Sequence, residues 1–158
     1  MSYVHINSLK ERWAGLVGRV ILAFGEIELS ILECLIDVPN ENLYPQYKDE
    51  EFHKKANKAI QVLNDSSIEP KLRRKMVKLI NLAMQKAKDR NLVAHNPLHL
   101  GFYTDMDGSL DFRYEIRSLR RQEVFMTLRE LETLALDIEQ LAGNVYETMS
   151  AISFNKYT

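Results

Sequence analysis

The stretch PKLRRKMVKLINLAMQKAKDRNLVAHNP, Pro70 to Pro97, is bounded by prolines and contains no glycine. Proline suits the first position of a helix, where its missing N–H is not needed. The second proline disfavours helical geometry at Asn96. Between them, Leu72, Met76, Leu79, Ile80, Ala83, Met84 and Ala87 recur at helical spacing and predict one amphipathic helix over about 70–95. Lys71, Arg74, Lys75, Lys78, Lys86 and Lys88 fall largely on the opposite side. The last turn carries Arg90, Asn91 and His95. Cations are favoured at a helix C-terminus, so these residues read either as capping or as a catalytic pair held on the final turn.

Upstream, Ser8 and Glu11 have capping-box spacing and predict a first helix from about Ser8 to about Asp37. VPNENLYPQY, with its two prolines, ends it. Arg12, Arg19, Glu26 and Glu33 recur every seventh residue as a thin polar stripe. Glu28 lies off that stripe, among Trp13, Val17, Phe24 and Ile31, where a carboxylate is costly unless paired. Arg90 falls in line with Leu72, Leu79 and Ala83 and is the expected partner. A second helix is predicted over about 49–63.

Downstream, Leu100 and Phe102 alternate in one run, and Leu110, Phe112, Tyr114 and Ile116 in the next. With DMDG between them they predict a β-hairpin over about 98–117. A last helix is expected from about Ser118 to Ser150, its seam formed by Val124, Leu128, Leu131, Ala135, Ile138, Ala142, Val145 and Met149. Residues 151–158 read as a loose tail. The sum is an all-α fold over 1–158, a single domain: a four-helix bundle with long first, third and last helices and a hairpin between helices 3 and 4. The long helices carry more apolar surface than a small bundle needs, which predicts a homodimer.

A chain of 158 residues suits one domain with its own core. Its 21 Lys and Arg against 22 Asp and Glu leave no global charge to announce a nucleic-acid binder. The single cysteine, Cys34, cannot form an internal disulfide, and its apolar neighbourhood reads as core. That suits a reducing cytoplasm. No signal peptide and no membrane span are expected. His95 and His99 have metal-binding spacing, but Pro97 breaks the register between them, so neither metal nor cofactor is expected. Lys71, Arg74, Lys75 and Lys78, with Arg117, Arg120 and Arg121 after the hairpin, read as a phosphate-backbone track or as a solvated face paired with Glu130, Glu132 and Glu139.

The segment RNLVAH resembles the signature of HEPN domains: arginine, a polar residue, a short spacer and histidine ending a long helix of an all-α bundle. Arg90, Asn91 and His95 match it position by position. The first helix, FGEIELSILECLI, is similar to the opening helix of many such domains, with a glutamate inside an apolar run. The resemblance implies metal-independent RNA cleavage at a cleft between two subunits. There the ribose 2′-hydroxyl attacks the adjacent phosphate and leaves a 2′,3′-cyclic phosphate. It also implies a toxin or antiviral-defence setting with a regulatory or antitoxin protein as partner. Histidine can move a proton near neutral pH. Arginine can stabilise charge on the phosphorane. Asn91 would orient the phosphate or the histidine, and Glu28 would hold Arg90. The alternative is a non-catalytic module of the same fold that binds RNA, a nucleotide or a protein.

Overall fold

A computed structural model describes residues 3–156, with side chains described for 8–154. The protein is mostly helical, with five helices and one three-stranded antiparallel sheet among the described residues. In chain order these are α1 (Tyr3–Asp37), α2 (Tyr44–Tyr47), α3 (Phe52–Asp65), α4 (Pro70–His95), β1 (Leu98–Thr104), β2 (Leu110–Arg117), β3 (Phe125–Met126) and α5 (Leu128–Lys156). No described helix is long and apolar enough to cross a membrane.

Several boundaries differ from the expectations. α1 begins at Tyr3, so Ser8 lies inside the helix rather than at its cap. No glycine or proline stands between Tyr3 and Ser8 to stop the helix from extending. Pro45 does not simply break the chain; it sits in the first turn of the short α2, where proline is tolerated. The last helix starts ten residues later than Ser118 suggested, at Leu128. Ser118 does act as a cap, accepting the backbone N–H groups of Arg120 and Arg121 on its Oγ, but the turn it caps is not helical further on. Phe125 and Met126 instead pair with Arg117 and Ile116 as a third strand. The true cap of α5 is Thr127, in a capping box with Glu130. Of the expected loose tail, the part up to Lys156 is helical, and 157–158 lie outside the described residues.

The chain forms two compact units. One comprises residues up to Ile21 together with Asp89–Leu136. Its core holds Trp13, Leu16 and Val20 of α1, Val93 of α4, Ile116 and Met126 of the sheet, and Leu131, Leu134 and Ala135 of α5. Ile116 and Met126 are cross-strand partners, so the short third strand completes the buried end of the sheet. β1 and β2 pair in register from Leu98↔Ile116 to Thr104↔Leu110. Asp105 accepts the Gly108 N–H, and Gly108 has φ +82, the left-handed geometry a three-residue hairpin loop requires at its end.

The other unit comprises Leu22–Lys88 and the chain from Asp137 onward. Phe52, Ala56, Ala59 and Leu63 of α3 are buried at helical spacing, and the Phe52 ring packs 4.7 Å from that of Phe24. Met76, Ile80, Ala83 and Ala87 of α4 are buried as their periodicity predicted. So are Ile138, Ala142, Val145 and Met149 of α5. Lys86 Nζ donates to Asp137 at 2.6 Å, and Ser153 Oγ to Asp37 at 2.9 Å.

Cys34 is fully enclosed in this unit. Burial, reinforced by the nearby Asp37 charge, pushes its thiol up to about 12. The thiolate is the reactive form, so native protein at pH 8 should escape alkylation by iodoacetamide while urea-unfolded protein is modified fully, as read by intact mass. The folded state holds this proton more tightly than the unfolded chain, whose thiol titrates near ~8.5. The stabilisation is therefore complete below that pH and is lost as pH rises toward about 12.

Candidate functional site

Arg90, Asn91 and His95 occupy the last two turns of α4, in the first unit. At about 100° per residue, Asn91 and His95 lie roughly 40° apart around the axis, whereas Arg90 is roughly 140° from His95. Their surroundings follow that division. Asn91 and His95 are exposed, and Arg90 is half-buried with its Nε shielded from solvent.

The end of the helix is held by a residue the sequence reading passed over. Asn96 Nδ2 donates to the Leu92 carbonyl at 2.9 Å, satisfying one of the acceptors a helix C-terminus leaves open. Its Oδ1 accepts the backbone N–H of Leu119, also at 2.9 Å. Asn96 thus ties the turn that carries His95 to the loop after β2.

The chain enters β1 three residues beyond His95. His99, Gly101 and Tyr103 lie on one face of β1, opposite Glu115, Arg113 and Asp111 of β2. Glu115 has no exposed surface, and its charge is met on both oxygens. Tyr103 Oη donates to its Oε2 at 2.6 Å, and Arg117 Nε donates to its Oε1 at 2.6 Å. Arg117 Nη2 also pairs with Oε1 and donates to the Tyr103 hydroxyl at 2.6 Å. Arg117 Nη1 donates to the Gln122 carbonyl at 2.6 Å. The hydrogen bond to Glu115 pushes the guanidinium still further toward its charged form.

Two neighbours fix the Tyr103 ring. The Arg113 guanidinium stacks on it at 3.8 Å from the ring centre. On Gly101, a Cβ would stand 2.6 Å from Tyr103 Cε2, so no other residue fits beneath the ring as it lies. This floor opens into a pocket of about 490 Å³, with Pro97, His99, Leu119 and Gln122 around it.

The remaining expected site residues are placed as follows. Lys71, Arg74, Lys75 and Lys78 are exposed on α4, in the second unit, and Arg120 and Arg121 are exposed in the first. Arg117 is not a free phosphate contact, because its donors are committed to Glu115, Tyr103 and Gln122. The acids expected to neutralise the basic face have other work in part: Glu132 pairs with Arg12, and Glu130 caps α5. The Glu28 carboxylate, expected to hold Arg90, accepts Lys55 Nζ at 2.6 Å. Lys55 is buried, with only 7% of its side chain exposed. The cost of a carboxylate on the apolar face is met by a lysine of α3 that sequence periodicity alone did not bring forward. Among the described residues no three metal-ligating side chains converge.

No protein-family model, no curated protein and no solved structure matches this chain.

Proposed function

We propose that the protein is a metal-independent endoribonuclease of the HEPN type, a helical bundle acting as a homodimer. The observation that carries this reading is the exposed His95 imidazole, with Asn91 on the same face, on the final helical turn of an Arg-Asn-x-x-x-His motif. In this mechanism one imidazole takes the proton of the ribose 2′-hydroxyl as its oxygen bonds to the adjacent phosphorus. The bond from phosphorus to the 5′-oxygen breaks, and that oxygen takes a proton from the partner subunit's imidazole. The products are a 2′,3′-cyclic phosphate and a 5′-hydroxyl. Arg90 stabilises the charge on the phosphorane, and Asn91 orients the phosphate. Lys71, Arg74, Lys75, Lys78, Arg120 and Arg121 supply contacts to the RNA backbone. Glu28 is left out of the mechanism because Lys55 engages it. No metal or cofactor takes part in this mechanism, and the reaction belongs in the cytoplasm with a regulatory or antitoxin protein.

Dimerisation has its own support. Leu22, Leu29 and Ile36 repeat every seven residues along α1, and Leu22 and Leu29 are 72% and 57% exposed. An apolar stripe of that period on a long helix suits pairing with a second helix. The half-burial of Arg90 favours a second reading, a module of the same fold that binds RNA or a nucleotide without cutting it.

Incubation of the protein with mixed RNA in excess chelator separates the two. Cleavage that leaves 2′,3′-cyclic phosphate ends supports the enzyme. Retention of intact RNA by the protein supports the module.

A further inference from the structure

The pocket beside β1 has a floor that the proposed cleavage chemistry does not use. Glu115 is wholly enclosed, yet Arg117 cancels its charge, and the Tyr103 hydroxyl both donates and accepts within the same cluster. The floor is therefore polar and electrically balanced. Such a floor offers little to a phosphate, which needs uncompensated positive charge. It suits a neutral, flat group whose edge carries donors and acceptors.

The groups around the opening fit that description. Leu119 is 72% exposed, and the His99 ring is exposed on the pocket-facing side of β1, so both can cover the faces of a planar ring. Gln122 is exposed and brings an amide with both a donor and an acceptor. The volume of about 490 Å³ lies within the ~300–1,000 Å³ usual for small-ligand sites. Pro97, which lines it, is two residues from His95, a chain reach of about 7 Å.

We propose that this pocket is a nucleobase subsite that selects the base beside the scissile phosphate. The inference rests on the ribonuclease reading for its purpose but on the pocket for its chemistry. A base splayed from single-stranded RNA is gripped by stacking on its faces and hydrogen bonding along its edge. Leu119 and His99 take the faces, and the Gln122 amide reads the edge.

The test titrates the full-length protein calorimetrically with the four ribonucleoside 3′-monophosphates and with ribose 5-phosphate, which has no base. One nucleotide should bind at least about tenfold more tightly than the other three, and ribose 5-phosphate should not compete with it. Gln122→Ala and His99→Ala, both at exposed positions, should each reduce that preference to about threefold or less. Equal binding of all four nucleotides, effective competition by ribose 5-phosphate, or a preference untouched by both substitutions would overturn the proposal. RNA cleavage by the same preparations separates the two readings. Selective nucleotide binding by a protein that leaves RNA intact removes the nuclease and keeps the subsite. Cleavage at every base, unchanged by Gln122→Ala, removes the subsite and keeps the nuclease.

Discussion

Replacing His95 by alanine is expected to lower RNA cleavage by at least about 10²-fold while leaving the melting temperature unchanged. The two halves of that statement come from different facts. Proton transfer by a placed side chain contributes on the order of 10²–10⁴ to a rate, and the imidazole is the group on this turn suited to it. The same imidazole is exposed, and surface substitutions away from special contacts stay within about 0.5 kcal/mol. Arg90 needs a different design because it is half-buried and its truncation removes packing as well as charge. Arg90→Lys keeps the charge and most of the stem but loses the planar fork. It should cut cleavage by about 10-fold or more, against on the order of 10²–10³ for Arg90→Ala. Undiminished cleavage by His95→Ala, measured by cyclic-phosphate yield, would end the assignment of this turn as the active site.

The second large effect is on stability. Lys55→Met leaves the Glu28 carboxylate, 30% exposed, without the ammonium that now sits 2.6 Å away. Breaking a fully buried pair costs about 3–5 kcal/mol, and the access of water to Glu28 lowers that to about 2–3 kcal/mol. For a chain of this size the melting temperature should fall by about 4–12 °C. The double variant Glu28→Leu/Lys55→Met should recover most of the loss, because apolar residues can replace a buried ion pair at little cost. Urea denaturation of wild type and the two variants measures both steps. A Lys55→Met protein as stable as wild type, or a double variant no better than the single, would show that the pair does not carry the charge on this face.

This pair also marks where reading the sequence stopped. The spacing of residues along α1 was enough to place Glu28 on the apolar face and to require a partner. It could not choose that partner, because Lys55 and Arg90 lie on different helices and nothing local states which helix comes near. Phe52, Ala56 and Ala59 are buried at helical spacing on α3, yet Lys55, one position before Ala56, is buried with them. A long aliphatic stem lets a lysine lie along the core while its ammonium reaches a carboxylate.

The hairpin teaches the same lesson at closer range. Strict alternation from Leu98 to Arg117 was enough to define two strands, their turn and their facing residues, since a period of two is local geometry. Alternation also puts His99, Tyr103, Glu115 and Arg117 on the second face, the one that would ordinarily be solvated. Glu115 is met there by Arg117 of its own strand and by Tyr103 of β1, and the bonds that join the three, Tyr103 to Glu115 and Arg117 to Tyr103, are made between strands. Likewise, Ser118 has the chemistry of a helix cap, but the segment after it could end in either a helix or a strand. Pairing of Phe125 and Met126 with β2 decided that, by burying Met126 against Ile116.

What the sequence determined alone was everything governed by a repeat or a stop: the span of α4 between two prolines, the seam of α5, the hairpin, and the presence of Arg90, Asn91 and His95 on one helical end. Tertiary structure alone decided which charges meet, which side chains stay in water, and where a cavity opens. Periodicity is a property of one segment, whereas partner choice and solvent access belong to the space between segments, and that space exists only once the chain has folded.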